Sequence, residues 1–358
     1  MQSTSPSQPV STPSAAPQPA APSISTWKNL VAQYQEADVR TSIWQIINSF
    51  GGYFLLWIVM YFSLQVGYWL TLLLAIPAGG FLVRIFIIQH DCGHGSFFSS
   101  RRANDTMGTI CGVFTLVAYR YWRKGHALHH AHTADLGERG DGDIWTLTVQ
   151  EYLAAPWWKR AAYRGFRNPF FLFVIAPPIQ FIILHRFPMA ADKKYRANEK
   201  HAVWWNNLAI LVVVTLVSLL IGFKAFLMIQ LPVIMIAASA GTWLFYVQHQ
   251  FEDTYWEYKP AWDYTMAAMQ GSSYYHLPKV LQWFTGNIGF HHIHHLSPRI
   301  PNYKLEQCHK DNPQFQQVVE LTLMTSIKTT FLTLWDEEER RLISFRDLQR
   351  MRHAGAFS

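Results

Sequence analysis

The sequence predicts an all-α integral membrane protein, with four transmembrane helices in two hairpins and a helical cap that gathers clustered histidines on one side. Three observations predict it. Charged residues make up 15% of the chain and aromatics another 15%, whereas ordinary soluble domains carry about 25% charge. The charges are missing from runs long enough to cross a bilayer. Eight of the 16 histidines fall into three clusters at same-face helical spacings, close to the ends of those runs.

Residues 1–26 are rich in Ser, Pro, Ala and Gln and contain no Lys or Arg. Such a segment cannot bury enough apolar surface to fold and is expected to be disordered. It lacks the basic n-region and apolar h-region of a secretory signal. From Trp27 to Arg40 a short helix is expected, either amphipathic and leading to the membrane, with Trp27, Leu30 and Val31 on its apolar side, or a plain linker.

Residues 43–83 contain no Asp, Glu, Lys or Arg, enough for two spans of about 20 residues. These are set at about 43–64 and 67–88, turning at Gln65, Val66 and Gly67. The second runs past Arg84, expected to snorkel to the interface, and continues into His90 and His94. A second hairpin follows at 202–223 and 225–248, interrupted only by Lys224. Between the hairpins, Gly108 to Ala118 is too short to cross and reads as re-entrant, interfacial or buried. Asn168 to His185 is marginal in length and broken by Pro177 and Pro178.

If all the histidine clusters share one side, the number of crossings between any two must be even. The 108–118 and 168–185 segments are therefore not assigned as spans. The loops on the histidine side then carry Arg101, Arg102, Arg120, Arg123, Lys124, the Lys159–Arg167 stretch, Arg186, Lys193 and Lys194, while the opposite turns carry only Lys224. The positive-inside tendency puts the histidines and both termini in the cytoplasm. Residues 27–310 form the expected membrane domain, and 311–358 a cytoplasmic C-terminal helical extension in which Trp335 to Arg352 reads as an amphipathic helix. The net charge of +7 serves topology, and a nucleic-acid partner is not expected, because no basic block outside the membrane-flanking loops interleaves with stacking aromatics. Cys92, Cys111 and Cys308 lie far apart and form no CxxC, so neither a disulfide framework nor an iron–sulfur site is legible.

The histidine clusters carry the chemistry. His90 and His94 are an i, i+4 pair, and His126, His129 and His130 repeat the i, i+3, i+4 pattern of His291, His294 and His295. At about 100° per residue the last three lie at about 0°, −60° and +40°, within one stripe. His292 and His132 fall about 60° outside their stripes. Eight imidazoles are too many for one ion, so two metal ions sharing an all-imidazole shell fit the count. Spacing does not choose among iron, zinc and copper. Asp91, Asp143, Glu252 and Asp253 lie close in sequence to histidines; they are candidates to hydrogen-bond the distal ring nitrogens, or are ordinary caps and loop acids. Trp145, Trp243 and Trp256 are candidates to line an apolar tunnel or to belong to an interfacial belt. His185, His201, His276 and His309 stand outside the clusters and are expected to be non-ligands. A metal-storing or metal-transporting protein would need ionisable residues along its spans, and these spans offer none outside the ends.

Several stretches resemble the membrane fatty-acid desaturases, most nearly their bacterial acyl-lipid branch. They are HDCGHGSFF at 90–98, HALHH at 126–130 with GDIWTLTVQEYLAAP at 142–156, YVQHQFEDTYW at 246–256 and GNIGFHHIHHLSPRIPNYKL at 286–305. The resemblance covers roughly residues 40–310 and implies a di-iron, oxygen-dependent enzyme in a bacterial plasma membrane. Such an enzyme places a cis double bond in a lipid acyl chain; hydroxylation or ketolation on the same scaffold is the alternative. It also implies that His249, in YVQHQFE, joins the eight box histidines as a ninth ligand. Removing hydrogen from unactivated methylenes calls for a metal-centred oxidant, which ordinary side chains do not supply. Electrons are expected from a separate ferredoxin or cytochrome, because the chain carries no iron–sulfur cysteines, no Gly-rich dinucleotide fingerprint and no HPGG haem motif. The basic patches at Arg120 to Lys124 and Lys159 to Arg167 suit an acidic ferredoxin.

Overall fold

The computed structural model describes residues 24–140, 143–188 and 194–354, with side chains from Trp27 onward. The chain runs α1 (Ile24–Ala32), α2 (Val39–Ser63), α3 (Tyr68–His94), α4 (Arg101–Phe114), α5 (Tyr119–His132), β1 (Leu147–Thr148), α6 (Val149–Ala154), α7 (Trp157–Phe166) and α8 (Ala176–Ile182). It continues through α9 (Ala197–Ile221), α10 (Phe223–His249), α11 (Tyr264–Met269), β2 (Tyr274–His276), α12 (Lys279–Phe284), α13 (His291–Leu296) and α14 (Asn302–Asp311). The last elements are β3 (Glu320–Thr322), α15 (Leu323–Thr329), β4 (Leu332–Asp336), β5 (Arg341–Ser344) and α16 (Phe345–His353).

Among the described residues four helices are long and apolar enough to cross a membrane: α2, α3, α9 and α10. Each hairpin turns where a residue without a Cβ ends the pattern, at Gly67 and at Gly222, which has φ 87°. The innermost is α3, packed between α2 and α10. A Cβ on Gly79 would lie 2.7 Å from Ile236 Cγ2, so only glycine lets α3 and α10 approach this closely. Gln230 of α10 adds a polar tie by accepting from Tyr53 Oη (2.8 Å) and Trp57 Nε1 (2.7 Å) of α2. By contrast α9 leaves Leu219 and Leu220 exposed, as an apolar helix facing lipid would.

Several expectations are corrected. The expected disorder of residues 1–26 falls outside the described residues up to residue 23, as does Lys193, but Ile24 to Thr26 already belong to α1. The helix expected to reach Arg40 stops at Ala32, because Asp38 starts a new one by accepting from Thr41 N–H (2.6 Å). Trp27 and Val31 are buried, in a cluster with Ile293, Leu296 and Leu305 of α13 and α14. Arg84 does not snorkel. It is buried, lies 4.0 Å over the Trp283 ring, and donates to the Trp283 carbonyl and to Asn48 Oδ1 (3.3 Å).

Of the 108–118 segment, Gly108 to Phe114 is the end of α4, which starts earlier and carries Phe114 against Phe50 (5.3 Å) and Phe54 (5.6 Å) of α2, and the rest is the turn into α5. The 168–185 segment holds a π-turn at Phe171–Ile175 with Pro177 at the start of α8, and the pair Trp157–Phe166 and Phe171–Arg186 is bent by 60°. The protein is mostly helical but not all-α. β1 pairs in parallel with β4, which pairs antiparallel with β5, and β2 pairs in parallel with β3. Trp335 to Arg352 is therefore not one helix: it holds the end of β4, a turn with Arg340 at φ 53°, β5 and nearly all of α16. The strands form because Leu334, Trp335, Leu342 and Ile343 bury their side chains against α6 and α7 and beside Trp256.

This C-terminal unit is locked to the rest through Arg167. Its buried guanidinium donates to the Trp145 carbonyl (3.1 Å), Tyr246 Oη (3.0 Å), Gln250 Oε1 (3.1 Å) and the Leu332 carbonyl (2.7 Å).

Candidate metal centre

Four helices deliver histidines to one buried volume. The end of α3 supplies His90 and His94, and Gly95, at φ 70°, stops the helix just beyond them. His126, His129 and His130 lie on α5, His249 is the last residue of α10, and α13 presents His291, His294 and His295. They form two sets, His90, His94, His126, His130 and His294 on one side and His129, His249, His291 and His295 on the other. Within each set the candidate ligand nitrogens lie within 4.8 Å of one another.

The tautomers show why a cation belongs between these nitrogens. His129 Nδ1 lies 2.7 Å from Asp143 Oδ1, and His249 Nδ1 lies 3.2 Å from the Gly271 carbonyl oxygen. Both oxygens only accept, so Nδ1 carries the proton in each ring and Nε2 is a bare lone pair. Yet His129 Nε2 and His249 Nε2 approach to 3.2 Å, and His291 Nε2 lies 2.9 Å from His249 Nε2. Two lone pairs aimed at each other repel, whereas a metal ion at their focus satisfies both. In the first set, His90 Nδ1 faces Asp91 Oδ1 (3.1 Å), which turns its Nε2 toward the cluster in the same way. His94 Nε2 is buried without a partner among the described residues.

Burial, reinforced by the neighbouring imidazoles, pushes the pKa values of His126, His130, His291, His294 and His295 well below the usual imidazole value. These rings are thus neutral near pH 7, the form that binds metal. An all-imidazole donor set of five and four nitrogens, on rings that are buried except for half-buried His94 and His126, fits two transition-metal ions.

The carboxylate candidates divide. Asp143 contacts His129; Asp91 contacts His90 and is itself held by Asn302 N (2.7 Å) and Nδ2 (2.8 Å). Glu252 and Asp253 do not reach a histidine. The chain turns away once α10 ends, leaving both exposed, with Glu252 paired to Arg341 (3.1 Å). His292 lies outside both sets with Nε2 2.9 Å from the Phe315 carbonyl oxygen, and His132 is in neither set. His185, His201, His276 and His309 are also outside them. Of the tryptophans, Trp256 stacks on Trp335 (5.6 Å), Trp243 donates to Tyr275 Oη (3.1 Å), and Trp145 packs edge-on against Tyr163 (5.0 Å).

Some supporting residues were not singled out from sequence. Trp122 stacks on His126 (4.6 Å), and its place four residues earlier on the same helix was the available signal. Phe245 lies against His129 (5.1 Å) and stands four residues before His249. The Gly271 carbonyl and Asn302 gave none, since each arrives from a distant part of the chain.

Comparison with known proteins agrees with this geometry. Residues 66–323 match the family described as fatty acid desaturase. The chain is 46% identical over 319 residues to the fatty acid desaturase of Bacillus subtilis (strain 168), covering 89% of this chain and 90% of that one. It is 28% identical over 267 residues to the sn-1 oleoyl-lipid 12-desaturase of Anabaena variabilis, covering 68% and 69%. It is 26% identical over 250 residues to the sn-1 acyl-lipid omega-3 desaturase (ferredoxin) of Synechocystis sp. (strain ATCC 27184 / PCC 6803 / Kazusa), covering 63% and 62%. This chain is a member of the fatty acid desaturase family and an oxidoreductase.

Proposed function

We propose that the protein is an oxygen-dependent acyl-lipid desaturase that introduces a cis double bond into a membrane lipid acyl chain. The observation that carries this reading is the convergence of nine histidines, seven buried and His94 and His126 half-buried, in sets of five and four. Each set would hold one iron, with His90, His94, His126, His130 and His294 on the first and His129, His249, His291 and His295 on the second. When bound, the two irons supply dioxygen activation and the oxidant for C–H abstraction.

The chain's own residues prepare that site. Asp143 and the Gly271 carbonyl hold His129 and His249 in the Nδ1–H tautomer, so Nε2 is offered without rotation. Asp91 does the same for His90, and Asn302 fixes Asp91 from α14. Burial of His291, His294 and His295 keeps water from the centre, which protects a reactive oxidant from side reactions.

In this reading α2, α3, α9 and α10 are the four spans, within residues 27–310, and the bent 157–186 segment does not cross. The histidines then face the cytoplasm of a bacterial cell, and an acyl chain enters from the lipid while a separate ferredoxin or cytochrome supplies electrons. The ferredoxin named for the Synechocystis relative supports such a donor. The test is to express the chain in a host lacking desaturases and profile total fatty acids by mass spectrometry. New cis-monounsaturated or polyunsaturated chains are expected; hydroxylated or keto products without new double bonds overturn the reading.

A further inference from the structure

We infer that the cleft between α7 and α16 is the docking site for an acidic one-electron carrier protein, above a run of packed aromatic rings that leads towards His129. This rests on the desaturase reading. Converting R–CH2–CH2–R′ and O2 to R–CH=CH–R′ and two H2O consumes two electrons and two protons from outside the substrate. A one-electron carrier supplies the electrons in two docking events and leaves oxidised each time.

The cleft has a volume of about 630 Å³ and is lined by Tyr152, Arg160, Arg164, Phe345, Arg352 and His353 among others, with no carboxylate in its wall. Arg160 and Arg352 have no ion-pair partner among the described residues. Arg164 is held in place, its guanidinium 4.4 Å over the Phe345 ring and its Nε donating to Tyr152 Oη (2.6 Å). The acids nearest in sequence are already committed, Asp347 to the Ser344 cap (2.6 Å) and Glu151 to Arg139 (2.6 Å). The cleft therefore presents unneutralised positive charge that only an acidic surface complements. On the α7 helical wheel, exposed Trp157 lies on the same side as Arg160 and Arg164, three and seven residues before them, and tryptophan beside arginine is the composition that anchors protein interfaces.

The other basic stretch differs in carrying a carboxylate: Asp105 lines its surface beside Arg101, Arg102 and Arg120 and pairs with Arg123 at 2.5 Å. Under the cleft, Phe345 lies 5.5 Å from Tyr152 and 6.1 Å from buried Tyr163, and Tyr163 lies 5.0 Å from Trp145. Trp145 is two residues from Asp143, whose Oδ1 is 2.7 Å from His129 Nδ1. The cleft thus connects to the metal-binding set through packed rings, the backbone from Trp145 to Asp143 and one hydrogen bond. Since α16 lies beyond the matched residues 66–323, half of the cleft comes from outside the region that defines the family.

The experiment measures binding of a plant-type [2Fe–2S] ferredoxin to the full chain in phosphatidylcholine nanodiscs, as a function of salt. The variants are Arg160→Glu/Arg352→Glu, Arg160→Lys/Arg352→Lys and, as a control on the other patch, Arg120→Glu/Lys124→Glu. Charge reversal in the cleft is expected to weaken binding about tenfold or more at low salt and flatten its salt dependence, with iron content unchanged, while the lysine pair binds as the parent does. With saturating ferredoxin, Phe345→Leu should slow reduction of the centre but leave dithionite reduction unchanged. Unaltered affinity in the cleft reversal, or an equal loss in the Arg120/Lys124 control, overturns the assignment. So does a reversal that abolishes binding to phosphatidylglycerol vesicles but not to ferredoxin, which would make the cleft a lipid contact. The binding measurement needs no turnover, so failure of the docking site and failure of the desaturase reading are separately visible.

Discussion

Among single residues, hydrogen bonds at the back of the imidazoles decide what each ring offers in front. Asp143→Asn keeps the size but lets an amide N–H face His129 Nδ1, favouring the tautomer with the proton on Nε2. The expected result is a loss of iron affinity of about 10–100-fold, read by chelator competition. His249→Ala should lose iron and activity, whereas His292→Ala and His132→Ala should keep both irons; iron analysis of folded, membrane-inserted protein checks this. An outcome in which His249→Ala retains two irons and full activity would falsify the assignment of the ninth ligand.

The pH dependence follows from the depressed values of His126, His130, His291, His294 and His295. In the unfolded chain these rings take up protons below about pH 6.5, while in the folded protein they stay neutral to lower pH. Because the unfolded state then binds more protons, stability falls as pH drops below about 6.5, and continues to fall until the folded rings titrate. The melting temperature of metal-free protein should accordingly drop between pH 7 and pH 5. A flat profile would mean that the rings are not buried neutral in solution.

For the helical elements, the α3–α10 contact and the 157–186 segment make the sharpest claims. Gly79→Leu forces a side chain into Ile236 and should cost about 1–3 kcal/mol by overpacking, with Gly79→Ala intermediate, measured by thermal unfolding in detergent. The topology predicts that a cysteine at position 175 is not labelled from outside the cell, while cysteines at 67 and 224 are. The native Cys92, Cys111 and Cys308 are all buried and should contribute little background. External labelling at 175 would make the bent segment a span and put the histidine clusters on opposite sides of the membrane.

For the whole molecule, the expectation is that the purified, iron-loaded chain does not sustain turnover with NADPH and oxygen alone. Activity should appear on adding a ferredoxin and its reductase, followed by oxygen uptake. Sustained consumption without them would show that the chain accepts electrons directly.

What the sequence determined by itself was the part of the structure written in local periodicity. The charge-free runs became α2, α3, α9 and α10 with ends within a few residues of those expected, because a bilayer-length apolar helix satisfies its own backbone. The histidines converge in the structure because i, i+3 and i+4 spacing puts them on one helical face. Tertiary structure decided everything that depends on segments far apart in the chain. It sorted nine histidines into five and four, brought Gly271 and Asn302 to His249 and Asp91, and turned Glu252 and Asp253 outward. It also made strands of part of Trp335–Arg352, whose local pattern suits a helix until β1, α6 and α7 supply a partner strand and a buried face. Arg84 shows the same limit: its neighbours in sequence say that it must escape the apolar interior, and only the arrival of the Trp283 carbonyl and ring lets it stay.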